Sequence, residues 1–142
     1  MRRRLFGMIW TLLPPLVASQ AAADTLTVQI AGVPSDEGKV MVAVLASEAQ
    51  FKDESAPAAA TILPARTGTV TYTVHDLAPG EYGVRAMHDE NDNGELDANF
   101  VGMPTEPWGF SNDAMGSFGP PGWKDVKFTV DGDTEITINL NQ

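Results

Sequence analysis

Val70-Thr71-Tyr72-Thr73-Val74-His75-Asp76-Leu77-Ala78-Pro79-Gly80-Glu81-Tyr82-Gly83-Val84-Arg85-Ala86-Met87-His88 reads as two strands joined by a turn. Val70, Tyr72 and Val74 alternate with threonines, and Tyr82, Val84, Ala86 and His88 share one face of the second run. A period of two sends one face of each run toward a core and the other toward water. Between them, Pro79-Gly80 suits a type II turn: proline fixes the first central residue and glycine takes the positive φ of the second. Working outward, Leu26, Val28 and Ile30 alternate with Thr27 and Gln29, and Lys39 to Leu45 is apolar on both faces, as expected of a central strand. Ser47 to Phe51 fits one helical turn, and Thr61-Ile62-Leu63 is a short strand candidate. Near the end, Val126, Phe128 and Val130 lead through Asp131-Gly132-Asp133 to Ile136, Ile138 and Leu140, which predicts a hairpin. About seven short strands with frequent turns predict an all-β antiparallel β-sandwich of immunoglobulin or transthyretin-like type, with a closed barrel as the alternative.

The first residues read as a cleavable export signal. Arg2, Arg3 and Arg4 precede a short apolar run, Leu5 to Leu13, and small residues end at Ala21-Ala22-Ala23. That run is too short for a comfortable membrane span of about 20 residues, so residues 1–23 are expected to be a signal peptide cut after Ala23. The arginines touch the twin-arginine pattern but lack its polar flank, which favours the general secretory route. Residues 24–142 then form a single β-sandwich domain, periplasmic or secreted. With no cysteine in the chain it is not expected to be a lipoprotein, and no disulfide supports it. No stable membrane anchor is expected after cleavage.

Losing three arginines leaves 6 basic residues against 19 acidic ones, a net charge of −13. Such a field repels nucleic acid and anionic lipid surfaces and attracts cations. The expected partner is an envelope or extracellular ligand, with no nucleic acid.

Regular alternation stops between residues 89 and 122. Loops beyond about 15 residues in compact domains tend to be functional or disordered. Phe100, Met103, Trp108, Phe110, Met115 and Phe118 argue for order, so the segment is expected to be one long folded loop pinned on the sandwich by its aromatic residues. It opens with Asp89-Glu90-Asn91-Asp92-Asn93-Gly94-Glu95-Leu96-Asp97. Calcium prefers oxygen ligands at alternate positions of a tight loop, with glycine at the sharpest bend. Asp89, Asn91 and Asn93 occupy positions 1, 3 and 5, Gly94 position 6, Glu95 offers a carbonyl at 7, and Asp97 stands at 9. Position 12 is Phe100 instead of a bidentate glutamate, and no helix flanks the loop, which disfavours a true EF-hand. The spacing predicts weak calcium binding, at about 10⁻⁴–10⁻³ M, with Glu106 or Asp113 as candidates to complete the ligand set. A metal-free polar turn uses the same residue types.

Other candidates are weaker. His75 and His88 lack ligand spacing and read as structural histidines. Ser111 follows Gly109-Phe110, but the second glycine of a nucleophile elbow is missing. Trp108, Phe110, Phe118 and Trp123 form a candidate sugar- or peptide-stacking set, anchoring on the core being the alternative. Unpatterned acids carry no catalytic signature. The domain is therefore expected to be a non-catalytic binding or accessory module, with a carbohydrate- or peptide-binding module and, after it, an enzyme of carboxylate or His-metal chemistry around His88, Glu106 or Asp113 as the alternatives.

His88-Asp89-Glu90-Asn91, Asn93-Gly94-Glu95-Leu96-Asp97, Gly102-Met103-Pro104-Thr105-Glu106-Pro107-Trp108-Gly109-Phe110-Ser111-Asn112 and Gly119-Pro120-Pro121 resemble exported bacterial proteins of the domain of unknown function 2141 family. The resemblance spans nearly all of residues 24–142, with Trp123 where phenylalanine is expected. It implies an exported β-domain of a Gram-negative-type bacterium and attaches no activity to it.

Overall fold

A computed structural model describes residues 23–142, together with Pro15. The expected signal segment lies almost wholly outside the described residues. Among those described, no helix is long and apolar enough to cross a membrane.

Among the described residues, eight strands form two sheets in a sandwich-like, all-β fold. In the smaller sheet β1 (Asp24–Val33) lies between β4 (Gly68–Leu77) and β8 (Thr134–Asn139). In the larger, β2 (Lys39–Leu45) is central, flanked by β3 (Ala59–Pro64) and β5 (Gly80–Asp89). Two short strands share the far edge of β5: β7 (Phe128–Val130) pairs with Gly80 to Tyr82, and β6 (Trp108–Phe110) with Arg85 to Met87. Every pairing is antiparallel except β1 with β8, which is parallel and sets Ile30 opposite Ile138. Among the described residues two α-helical turns, α1 (Glu48–Phe51) and α2 (Trp123–Val126), and one 3-10 turn, Ser111–Asp113, complete the fold.

The alternation seen in the sequence becomes the core. Leu26, Val28, Ile30, Val40, Val44, Val84 and Ile138 are wholly buried between the sheets. Each such side chain contributes about 1.5–3 kcal/mol relative to leaving it in water, which serves a chain that has no disulfide to close its loops. On β5 the inward face is Tyr82, Val84, Ala86 and His88, as the period of two predicts.

Three local expectations change. The pair around Asp131-Gly132-Asp133 is not a hairpin: β7 joins β5 in one sheet while β8 joins β1 in the other. Both strands carry apolar residues on one face, and that patterning fits adjacent sheets as well as adjacent strands. Nor does Pro79-Gly80 make a type II turn. Gly80 opens β5 without positive φ, and the left-handed residue is Asp76, at φ 61°, in an irregularity between the Asp24–Leu77 and Leu26–Val74 pairs. The chain crosses between sheets here, and Tyr82 Oη holds the corner by donating to the Ala78 carbonyl at 2.6 Å. Finally, the segment 89–122 contains β6, and most of its large apolar residues do not pin it down. Phe100 and Phe118 are fully exposed, and Met103 and Met115 are more than half exposed. Polar bonds fold the segment instead: Asn99 Oδ1 accepts the N–H groups of Val101 and Met103, and Thr105 N–H donates to the Asp97 carbonyl.

Candidate functional site

β5 delivers Asp89 to the head of the acidic loop, buried to 1% exposure. Its Oδ1 accepts the Asn93 N–H at 3.1 Å and its Oδ2 accepts the Gly94 N–H at 2.7 Å. Gly94 takes φ 80°, a left-handed bend that glycine adopts at little cost. The bend folds the loop back, so that the side-chain amides of Asn91 and Asn93 both donate to Asp97, at 2.5 and 2.7 Å. Asn93 Oδ1 also accepts the Glu95 N–H at 2.9 Å. Asp89, Asn91, Asn93 and Asp97 are thus one connected group around a single bend. Glu95 is exposed and is among the residues that line the neighbouring cleft.

Two further residues hold this loop. Glu106 is buried and clasps it with both oxygens, Oε1 accepting from Glu90 N–H at 2.9 Å and Oε2 from Asp97 N–H at 3.0 Å. Lys39 on β2 reaches Asp92 at 2.6 Å. The hydrogen bond and charge of Asp92 raise the lysine pKa above its ordinary range. Asp113, the other sequence candidate, is occupied elsewhere: its oxygens accept the backbone and side-chain N–H groups of Asn139.

The histidines are not brought together. His75 is exposed on β4, in the smaller sheet, and His88 is wholly buried on β5, in the larger. His88 Nε2 donates to the Glu37 carbonyl at 2.6 Å, while Nδ1 has no hydrogen-bond partner among the described residues. Among the described residues, no three His, Cys, Asp or Glu side chains gather as metal ligands. The Asp89–Asp97 group has only two carboxylates, the rest being neutral amides.

Ser111 is wholly buried. The two short strands on the edge of β5 leave Val84 N–H without a strand partner, and Ser111 Oγ accepts it at 2.9 Å while donating to the Val126 carbonyl at 2.6 Å. The hydroxyl thus replaces one rung of the sheet. Ser111→Ala is expected to cost about 1–3 kcal/mol, the penalty for stranding a buried donor, read as a lower midpoint in urea.

The four aromatic candidates separate. Trp108, Phe110 and Phe118 line one cleft of 1720 Å³ on the outer face of the larger sheet. Trp123 is outside that lining. Its ring lies against Phe51, with centroids 6.1 Å apart, and so close to Gly83 that a β-carbon there would meet it at 2.7 Å. Sequence reading missed the methionines of this cleft. The available signal was β2 itself: a strand apolar on both faces needs a cover on each, and among the described residues only the inner face has one.

A family model described as "Uncharacterized protein conserved in bacteria (DUF2141)" matches residues 28–139. No curated protein and no solved structure gives a match.

Proposed function

The chain belongs to the DUF2141 family, and from that premise we propose that it is an exported, non-catalytic binding module whose Asp89–Asp97 loop holds calcium. One observation carries the reading: Asn91 and Asn93 converge on Asp97 around the bend that Asp89 fixes, instead of pointing apart into solvent. A half-turn of either amide sets an oxygen where N–H₂ now faces Asp97, making it a ligand for a hard cation. It also gives up the Asn93 or Glu95 N–H bond that the amide oxygen now accepts, a loss the bound ion must offset. Asp89, Asn91, Asn93 and Asp97 would supply side-chain oxygens, and Glu95 its carbonyl. Two carboxylates among mostly neutral ligands suit weak binding in a calcium-rich extracytoplasmic compartment. The excess of acidic residues raises the local cation concentration.

Thermal melting with calcium and with chelator tests this. At about 10 mM calcium, some ten to a hundred times the expected dissociation constant, the stabilisation is about 1.4–2.7 kcal/mol, or about 5–10 °C in Tm. Asp97→Ala should abolish the difference. An unchanged Tm in the parent protein overturns the reading.

A carbohydrate- or peptide-stacking role for Trp108, Phe110, Phe118 and Trp123 has less support. Trp123 lies outside the cleft, and Phe110 is edge-on to both Phe51 and Trp108.

A further inference from the structure

We infer that the cleft on the outer face of the larger sheet binds the acyl chain of a long-chain lipid. Its floor is the outward side of β3, β2, β5 and β6, with Met41, Met87 and Trp108, and its walls carry Met103 and Met115. These are all four methionines of residues 24–142. Methionine is unbranched and polarizable, and a surface lined with it adapts to flexible apolar ligands. Ile62, Leu96, Val101, Met103, Met115 and Phe118 line this one cleft, and they are six of the seven large apolar residues found exposed among the described residues. Phe118 alone, fully exposed, presents about 150–250 Å², a large part of the biggest apolar patch on an ordinary monomer.

Charge and hydrogen bonding select the occupant. The charged residues of the lining, Lys52, Asp53, Arg85 and Glu95, cancel, although residues 24–142 hold 19 acids against 6 bases. Arg85 and Asp53 are paired with each other at 2.5 Å. A charge-balanced apolar lining complements an uncharged chain. An extended peptide would bring N–H and C=O groups that need partners. The central floor spends its own on pairing, β2 with β3 and β5, and β5 with β6; only the outer edge of β3, at one side of the cleft, is left without a strand partner among the described residues. A hydrocarbon chain needs none. At 1720 Å³ the cleft exceeds the roughly 300–1,000 Å³ of small-ligand pockets, which gives room for a long chain. A second copy fits less well, because two concave faces laid together enclose a void.

The test is a titration of the purified protein, expressed with its own leader and checked for its N-terminus by mass, with the fluorescent fatty acid cis-parinaric acid, in calcium and in chelator. The expected result is saturable one-to-one binding, competed by palmitate and present in both buffers, so that it stands or falls apart from the calcium reading. Met103 and Met115 are exposed, so Met103→Glu and Met115→Glu should leave the Tm near that of the parent. Each should weaken binding about tenfold or more by setting a charge against the chain. Glu135→Gln, on the other sheet, should leave binding unchanged. Non-saturable binding, binding indifferent to both methionine substitutions, displacement by an apolar peptide as readily as by palmitate, or a ligand-free dimer that closes the cleft overturns the inference.

Discussion

Gly38→Ala is expected to destabilise the domain by about 2–5 kcal/mol. A β-carbon at Gly38 would stand 2.0 Å from the Asp89 carbonyl oxygen and 2.8 Å from that of Glu90. Both atoms are backbone, so no side chain can swing aside to relieve the overlap. The backbone at Gly38 also has φ 71°, which costs a non-glycine residue about 1–2 kcal/mol. Overpacking adds about 1–3 kcal/mol. Against a total stability of about 5–15 kcal/mol, the variant should melt well below the parent, and urea denaturation should show a lower midpoint. Gly94→Ala is the control. Its φ is 80°, but nothing lies within 4 Å of its β-carbon, so only the conformational part applies. If both variants lose stability equally, contact with the start of the acidic loop is not what requires glycine at position 38.

Which features could be read in advance follows from the range of the forces that set them. The strands were legible because alternation at Leu26-Val28-Ile30 and at Tyr82-Val84-Ala86 is a local consequence of burying one face. Strand partners were not, because β7 and β8 have the same pattern whether they pair with each other or lie in different sheets. The acidic loop was legible because its geometry is internal to nine residues: Asp89, Asn93 and Gly94 bond across four or five positions. Glu106 was a candidate only by residue type, since its hold on Glu90 and Asp97 spans sixteen and nine positions. The cleft was hardest to foresee. Aromatic content in residues 89–122 pointed to burial, whereas Phe100 stands in a loop tied by Asn99 and Phe118 is likewise fully exposed. Met41 and Met87 come from neighbouring strands, directly opposite each other in register, and meet Met103 and Met115 only in the folded domain.

Glu106→Ala is expected to loosen the loop from Glu90 to Thr105, at a cost of about 3–5 kcal/mol. The carboxylate is 5% exposed and receives two backbone N–H groups, at 2.9 and 3.0 Å. A hydrogen bond to a charged group contributes about 1.5–3 kcal/mol, and alanine would leave two donors without a protein partner. Part of that loss will be recovered as water enters, so the effect should appear as local opening as well as reduced global stability. Hydrogen exchange at the Glu90 and Asp97 amides should speed up far more than at β1, whose bonds lie in the other sheet. Glu106→Gln separates charge from shape: it keeps one acceptor but turns an N–H₂ toward the second N–H, so one of the two amides should stay protected. The same clasp holds the loop that carries Leu96, Val101 and Met103 to the cleft wall. Glu106→Ala should therefore diminish both the calcium-dependent rise in Tm and the affinity for the fatty acid, whereas Asp97→Ala should act chiefly on the first. Unchanged exchange at Glu90 and Asp97 in Glu106→Ala would show that the loop owes its order to its own asparagine bonds and not to the buried glutamate beneath it.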